Sequence, residues 1–323
     1  SALHIACLAL NLGPGDILWT SPISFVASAN CGLYCGASVD FVDIDPNTAL
    51  LSIKKLEEKL QYAKKKGKLP KIVIPVHFGG QPCDMKEIYA LSKKYNFKII
   101  EDAAHAIGAK YQDKLIGSCQ YSDITVFSFH PVKIITTGEG GVAMTNNLQL
   151  SDRMRLLRSH GITRDVSKMK NKPDGAWYYE QIDLGFNYRM TDIQAALGIS
   201  QLNRIEQYVS RRNEIAEWYN KKFRTTDISP LMQKMGRSSA YHLYVILIKG
   251  GRQQRDVLYN YLLKNDIGVN LHYIPVYKHP FFNKNSCLEN AEYYYKHAIS
   301  LPIYPTISSK DLNKVVDKIL CYI

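Results

Sequence analysis

The sequence has no long hydrophobic run and no low-complexity tract, and these absences exclude several classes of protein. None of its apolar runs reaches the length that spans a bilayer, so we expect no membrane partner. No segment near Ser1 combines positive charge, an apolar stretch and a small-residue cleavage site, the pattern of a secretory signal. Hydrophobic residues still occupy 46% of the 323 positions, which suffices for a large core and predicts two domains.

Cysteine is sparse and scattered, and its pattern excludes folds held together by a zinc site or by a framework of disulfides. The seven cysteines are odd in number, with neither the paired spacing of a zinc site nor the density of a disulfide framework. We therefore expect no metal site. Such thiols serve mostly as small buried hydrophobes in a reducing compartment, which predicts a cytoplasmic protein.

Acidic residues are outnumbered, with 29 Asp and Glu against 41 Lys and Arg, and the formal net charge is +12. A charge of this size permits binding to nucleic acid. However, lysines are interleaved with Glu57 and Glu58 as on a solvated helix face, and no nucleic-acid-binding motif accompanies them. We expect no nucleic-acid partner, and a basic surface also suits a polyanionic small substrate.

The order of apolar runs predicts the fold class. The first two hundred residues alternate short apolar runs with amphipathic ones, as in βαβ units with a mostly parallel sheet flanked by helices. One long helical pattern follows at 191–223, and after it a strand, a helix and a second strand are predicted at 240–248, 254–265 and 268–275. We place a domain boundary inside the long helix, giving a large domain (1–205) and a smaller C-terminal α+β domain (206–323).

Lys133 is the most informative residue of the chain. It follows a predicted buried strand at 123–129 and precedes a glycine-rich turn at 138–141. A lysine just past the end of a core strand lies where open α/β sheets bind ligands. Partial burial there lowers the pKa of its ammonium toward that of a nucleophilic amine, as a Schiff base to pyridoxal phosphate (PLP) requires. A lone lysine in a loop is more often an ordinary surface residue, so the surrounding residues decide between the two interpretations.

Three residues near one another in sequence suit the PLP ring. Asp102 ends a predicted buried strand, where its carboxylate would keep the ring nitrogen protonated; the alternative is a cap on the next turn. Strand alternation would turn Glu101 to the other face of the sheet. Ala104 is small enough for the ring to lie flat against the backbone. His105 is a candidate partner of the phenolic oxygen or a structural histidine.

The other face of the ring and the phosphate also have candidates. Phe25 lies at a strand-to-helix junction, where it would stack on a pyridine ring or simply join the core. Ser1 begins an amphipathic helical run, and a helix N-terminus attracts phosphate. Ser128, at the end of the strand before Lys133, would add a hydroxyl. Because the chain starts as if inside an element, we expect a further N-terminal segment in the natural protein.

Together these segments resemble the DegT/StrS-type sugar aminotransferases, which are PLP-dependent enzymes of fold type I. The matching segments cover nearly the whole chain and include 21–30, 75–80, 101–108, 127–133, 138–141, 158–161 and 185–192. The resemblance implies a ping-pong transfer of the amino group of L-glutamate to carbon 4 of a UDP-4-keto-6-deoxy-N-acetylhexosamine. Segments 21–30, 158–164 and 272–275 are most similar to family members of pseudaminic acid biosynthesis.

The resemblance also implies residue roles in catalysis and cofactor binding. Lys133 would carry the cofactor and Asp102 would hold its ring nitrogen, while Phe25 and Ala104 would sandwich the ring. Ser128 and the Ser1 loop would bind the phosphate, although the family's Ser/Gly-Thr step before this helix is absent here.

Further implied residues lie later in the chain. Asn187 would reach the phosphate in the neighbouring subunit, which implies a homodimer with shared active sites. His272 would contact substrate from a small-domain loop, also across the interface. Tyr273 and Arg189 are further substrate candidates, Arg189 for an anionic group.

The sequence leaves other functions open: a related dehydrating enzyme, a different sugar substrate and a binding protein without catalysis. A dehydrating relative on the same fold has histidine in place of the lysine, and Lys133 argues against it. The substrate could instead be a different nucleotide 4-keto or 3-keto sugar. A non-catalytic basic binding protein is disfavoured by the presence of both Lys133 and Asp102.

Overall fold

The computed structural model describes residues 1–282 and 287–322. Its α-helices are α1 (Ala2–Ala9), α2 (Ala27–Tyr34), α3 (Ile53–Lys65), α4 (Met85–Tyr95), α5 (Leu148–Arg158), α6 (Asp192–Leu202), α7 (Ile205–Phe223), α8 (Gly251–Lys264), α9 (Glu289–His297) and α10 (Ser309–Leu320). The strands are β1 (Ile17–Thr20), β2 (Ser38–Phe41), β3 (Ile72–Ile74), β4 (Lys98–Asp102), β5 (Lys110–Tyr111), β6 (Lys114–Leu115), β7 (Ile124–Ser128), β8 (Gly141–Met144), β9 (Ile162–Thr163), β10 (Glu180–Gln181), β11 (Ile228–Pro230), β12 (Arg237–Ser238), β13 (Tyr244–Ile248) and β14 (Ala298–Leu301).

A six-stranded sheet in the order β2-β1-β3-β4-β7-β8 forms the centre of the molecule. Its first five strands are parallel, and β8 runs antiparallel to β7 at the edge. All three residues of β3 are buried, as expected of a strand covered by helices on both faces. The prediction of a mostly parallel α/β fold is therefore confirmed.

The flanking helices follow from local sequence. In α3, Leu56, Leu60 and Ala63 recur at helical spacing and form the buried stripe. The Ser52 hydroxyl accepts a hydrogen bond from the Lys55 amide at 3.3 Å, which satisfies one free donor of the first turn. No helix among residues 1–282 and 287–322 is long and apolar enough to cross a membrane.

A second hydrophobic cluster surrounds the antiparallel sheet β11-β13-β14. The later part of α7 contributes Ile215, Tyr219 and Phe223 to it, together with residues of α8 and α10. The first residue of α7, Ile205, packs instead against a cluster that contains Phe127 of β7. Helix α7 thus joins the two clusters, and the boundary at residue 205 remains a prediction.

Two predicted elements are wrong. The long helix is interrupted at Asn203 and Arg204, where α6 ends and α7 begins. The apolar spacing continues across the break, so the sequence pattern conceals it. The predicted strand at 268–275 is not formed: only Asn270 pairs, with Ser300. Beyond Asn270 the backbone leaves the small sheet, and the Val276 amide donates to the Pro22 carbonyl at 2.9 Å.

Candidate active site

The carboxyl ends of the parallel strands β1, β3, β4 and β7 meet at one edge of the central sheet, where open α/β sheets bind ligands. Asp102 and Ser128 are the last residues of β4 and β7. The connection after β1 carries Phe25, and the connection after β7 carries Lys133. The topology thus brings these four predicted residues to one edge.

The amine of Lys133 is desolvated and unpaired. No hydrogen bond or ion pair joins its Nζ atom to any residue that the structure describes, and its backbone amide donates to the His130 carbonyl at 2.9 Å in a tight turn. Burial lowers the pKa of Lys133, and the negative charge of Asp102 opposes that shift. The buried neighbours Ile134 and Ile135 anchor the loop behind it. A lysine in these surroundings is suited to nucleophilic and general-base chemistry.

Asp102 is only 5% exposed, and both of its carboxylate oxygens are held. Ser28 Oγ donates to Oδ2 at 2.5 Å, and the Ala104 amide donates to Oδ1 at 3.0 Å. A buried carboxylate without a cationic ion-pair partner among the described residues is costly unless a ligand supplies one. The protonated ring nitrogen of PLP is such a ligand.

Glu101 faces the opposite side of β4, as strand alternation predicts. Its Oε2 atom lies 2.7 Å from His77 Nε2, and its Oε1 atom accepts hydrogen bonds from Ser122 and Thr125. Burial alone would raise the pKa of Glu101, but the hydrogen bond with His77 and those from the two hydroxyls lower it. Glu101 is therefore fully engaged away from Lys133.

His105 lies at the centre of a cluster of rings. Its centroid is 4.3 Å from that of His242 and 6.2 Å from that of Tyr273, with the Tyr273 ring stacked on it. His105 Nδ1 accepts from the Gly79 amide at 3.3 Å, and Nε2 lies 3.3 Å from the Tyr273 hydroxyl. Burial lowers the pKa of both His105 and His242, and the nearby charge of Lys133 lowers it further. Both imidazoles are therefore neutral at pH 7.

Phe25 is 60% exposed, so its interpretation as a core residue is wrong in this chain. Its ring centroid lies 6.4 Å from that of Tyr273. An exposed aromatic ring beside the site is available to stack on a ligand. Ala104 is half-buried and lies two residues after Asp102 along the chain.

The N-terminus of α1 and Ser128 lie close to each other. Ser128 pairs with Gly141 across the β7–β8 ladder. A Cβ atom at Gly141 would lie 3.8 Å from the Cβ atom of Ala2, the first residue of α1. Ser1 is exposed and its side chain makes no capping bond. The free amides of this helix end and the Ser128 hydroxyl form a cradle suited to a phosphate group.

His272 is held by hydrogen bonds within its own chain. Its Nδ1 atom lies 2.8 Å from Ser300 Oγ, and its carbonyl accepts a hydrogen bond from the Tyr294 hydroxyl. Burial, with the charge of Lys133 as the second cause, lowers the pKa of His272 to about 4. The implied reach of His272 into a partner's site remains a prediction.

Asn187 and Arg189 are exposed, and no contact within residues 1–282 and 287–322 joins them to Lys133 or Asp102. The backbone of Asn187 bridges that of Ser159. Between them, Tyr188 lies against α1, with its hydroxyl 3.2 Å from His4 Nδ1. The segment is thus placed beside the phosphate cradle, and the roles of both residues remain predictions.

Ser28 and His242 were not predicted as site residues. Ser28 lies inside the matching segment 21–30, but a serine in the first turn of a helix carries no signal that its partner is a distant carboxylate. His242 lies at the start of a predicted strand in the second half of the chain, and its Nδ1 atom is buried without a hydrogen-bond partner. Its contact with His105 depends entirely on tertiary structure.

Comparison with known proteins identifies the family. The model of the DegT/DnrJ/EryC1/StrS aminotransferase family matches residues 1–320. The UDP-4-amino-4,6-dideoxy-N-acetyl-beta-L-altrosamine transaminase of Campylobacter jejuni is 39% identical over 322 residues, covering 98% of this chain and 81% of the relative. The chain therefore belongs to this family.

Comparison with solved structures also finds sugar aminotransferases. PseC of Helicobacter pylori, an aminotransferase involved in the biosynthesis of pseudaminic acid, superposes with a TM-score of 0.88 at 29% identity, covering 100% of this chain and 85% of PseC. Spr1654 of Streptococcus pneumoniae in its PLP form gives a TM-score of 0.87 at 27% identity, covering 99% of this chain and 84% of Spr1654. This chain is a PLP-dependent sugar aminotransferase of fold type I, which confirms the predicted family, fold and cofactor.

Proposed function

We propose that this enzyme transfers the amino group of L-glutamate to carbon 4 of a UDP-4-keto-6-deoxy-N-acetylhexosamine, a precursor of pseudaminic acid, in ping-pong order. The similarity to the altrosamine transaminase of Campylobacter jejuni and to PseC of Helicobacter pylori supports the choice of sugar. The observation that carries the amino-transfer chemistry is the desolvated, unpaired amine of Lys133 within electrostatic reach of the buried Asp102 carboxylate.

Lys133 and Asp102 divide the chemistry between them. PLP, when bound, supplies an electron sink for the negative charge that develops at the reacting carbon. Lys133 holds the cofactor through its Nζ atom, and the released amine then takes the α-proton of glutamate as general base. In the second half-reaction Lys133 Nζ delivers a proton to carbon 4 of the sugar. Asp102 keeps a proton on the ring nitrogen through its carboxylate.

The remaining site residues bind and orient. Phe25 and Ala104 would enclose the ring from its two faces. His105 would contact its phenolic oxygen through Nε2, in place of the Tyr273 hydroxyl. Ser1 and Ser128 bind the phosphate at the N-terminus of α1, where the helix dipole favours an anion. Their adjacency supports this assignment.

His272, Tyr273 and Arg189 are proposed to bind substrate. His272 and Tyr273 face the site beside Lys133, where a neutral imidazole and a phenol can donate hydrogen bonds to sugar hydroxyl groups. Arg189 is exposed beside the α1 end and suits an anionic group of glutamate or of the nucleotide.

We propose that the enzyme is a homodimer in which Asn187 reaches the phosphate of the partner's cofactor. The support is α6, an eleven-residue helix without a buried residue in the single chain. Its exposed apolar side chains include Ile193, Ile199 and Leu202, and Ile193 is 84% exposed. Exposed apolar surface on this scale is typical of a protein–protein interface. A second copy of the chain packed against α6 would remove these apolar side chains from water.

The substrate is tested by incubating the purified enzyme with PLP, L-glutamate and a panel of UDP- and dTDP-linked 4-keto-6-deoxy sugars. We expect the 4-amino product from the UDP-linked N-acetylhexosamine, detected by mass spectrometry with equimolar 2-oxoglutarate. Preferred turnover of a dTDP-linked or a 3-keto sugar would refute the proposed substrate but not the transaminase.

The role of Lys133 is tested with Lys133→Ala, and Lys114→Ala, which removes an exposed lysine, is the control. Borohydride reduction should attach PLP irreversibly to Lys133 in the parent enzyme and in the control, but to no residue in Lys133→Ala. Turnover should fall by about 10²–10⁴-fold or more with the general base removed. Normal turnover of Lys133→Ala would refute the assignment.

A further inference from the structure

We propose that Ser28 is a positioning residue for the cofactor: the chain Ser24–Ser28–Asp102 sets the orientation of the carboxylate that meets the PLP ring nitrogen. This inference rests on the role proposed for Asp102. Ser28 makes the shortest hydrogen bond of the Asp102 side chain.

The direction of the chain of hydrogen bonds follows from its chemistry. Ser28 Oγ lies 2.5 Å from Asp102 Oδ2, and Ser24 Oγ lies 2.8 Å from Ser28 Oγ. A carboxylate only accepts hydrogen bonds, so the single hydroxyl proton of Ser28 is committed to Asp102. Ser24 must then donate to Ser28. All three side chains are at most 5% exposed, so water does not compete for these groups.

Two donors from different parts of the chain fix the plane of the carboxylate. Ser28 holds Oδ2 from the first turn of α2, and the Ala104 amide holds Oδ1 from the turn after β4. Hydrogen bonds to an ionised group are stronger than neutral ones, and both stabilise the anion. Each oxygen keeps a free lone pair for the N–H group of the pyridine ring. Asp102 therefore meets the ring as an oriented anion and leaves the proton on the nitrogen.

The same hydroxyls fix the segment that carries Phe25. Ser24 lies in the bend before α2 and Ser28 in its first turn, and their side chains bond to each other in the interior. Phe25 follows Ser24 and projects to the surface of the site. One buried chain thus links the group that meets the ring nitrogen to the group proposed to stack on the ring.

A purely structural serine would stabilise the fold without affecting the cofactor, so the test needs a signal from the cofactor itself. We would load the enzyme with PLP labelled with nitrogen-15 in the ring and record the nitrogen chemical shift, which reports protonation. Ser28→Ala should move the signal toward that of the unprotonated pyridine and weaken PLP binding to the apoenzyme about tenfold, or 1.4 kcal/mol. Without Ser28, Oδ2 of Asp102 is no longer held in its orientation toward the ring nitrogen, so the carboxylate stabilises the ring N–H group less.

Three further variants complete the test. Ser28→Thr retains a hydroxyl and should restore the parent signal, whereas Ser24→Ala should produce a smaller shift in the same direction. Ser92→Ala is the matched control, because Ser92 is also a buried helical serine, bonded to the Tyr89 carbonyl in α4, and it should change neither the nitrogen signal nor the PLP affinity.

An unchanged nitrogen signal together with a PLP affinity within twofold of the parent in Ser28→Ala would overturn the inference. Asp102→Asn separates this failure from a failure of the proposed function. If Asp102→Asn deprotonates the ring nitrogen and Ser28→Ala does not, only the role of Ser28 is wrong. If neither variant changes the signal, the role of Asp102 is wrong as well.

Discussion

Gly80 should not tolerate even one added methyl group, because it lies between the backbone of His105 and that of His242, whose rings contact each other. A Cβ atom at this position would lie 2.8 Å from the Tyr241 amide nitrogen, 2.9 Å from the His105 carbonyl oxygen and 3.0 Å from the His242 amide nitrogen. All three neighbours are backbone atoms, which cannot rotate away as a side chain can. The glycine also has φ of +102°, a conformation that L-residues rarely adopt.

The two effects can be added. A side chain in left-handed backbone costs about 1–2 kcal/mol, and forcing a methyl group into a packed site costs about 1–3 kcal/mol more. Gly80→Ala should therefore destabilise the protein by about 2–5 kcal/mol. With an unfolding entropy of about 2.1 cal/mol/K per residue over 323 residues, this lowers the melting temperature by about 3–7 °C.

The matched control is Gly15→Ala. Gly15 has φ of +88° but no atom within 4 Å of an added Cβ atom, so it isolates the backbone cost. Thermal unfolding of both variants should show a loss of about 1.5–3 °C for Gly15→Ala and the larger loss for Gly80→Ala. Gly80→Ala should also weaken PLP binding, since the contact between His105 and His242 is displaced. Equal losses in the two variants would refute the reasoning from packing.

Two further predictions concern pH and assembly. Because the pKa of His272 is lowered, the unfolded chain takes up a proton below pH 6.5, whereas the folded apoenzyme does so only near pH 4. The contribution of His272 to the free energy of unfolding is therefore intact above pH 6.5 and is lost as the pH falls below it. From pH 7 to pH 5 the His272→Asn apoenzyme should lose about 2 kcal/mol less stability than the parent in chemical denaturation, and parallel pH profiles would contradict this. Ile193→Glu in α6 should convert the proposed dimer to a monomer, measured by size-exclusion chromatography with light scattering. The control Val257→Glu, at an exposed apolar position of α8, should leave the dimer intact. A dimer that persists in Ile193→Glu would exclude α6 from the interface.

Much of the active site could be predicted because its residues lie at strand ends. Asp102 ends β4 and Ser128 ends β7, and both strands are visible in the sequence as apolar runs. In a parallel sheet, the carboxyl ends of neighbouring strands lie at the same edge, so residues at the ends of such strands are expected to be close in space. Lys133 follows such a run as well, and the candidates around it, Asp102 above all, favoured it over an ordinary surface lysine.

Other residues could not be predicted, because their roles depend on partners far away in sequence. The spacing that makes Ser28 part of a helix says nothing about the carboxylate it meets. The position of His242 in the sequence indicates an ordinary strand residue, yet its ring contacts that of His105, with the centroids 4.3 Å apart. The segment at 268–275 has the apolar pattern of a strand, but only Asn270 finds a pairing partner.

By itself, the sequence determined the α/β class, the family and the residues that can carry the chemistry, because periodicity and local side-chain chemistry are written along the chain. Only the tertiary structure decided that His272 bonds to Ser300 and that both oxygens of Asp102 accept hydrogen bonds, from Ser28 and Ala104. The physical reason is that burial and hydrogen bonding depend on which distant segments pack together. Both the lowered pKa of Lys133 and the orientation of Asp102 come from such packing.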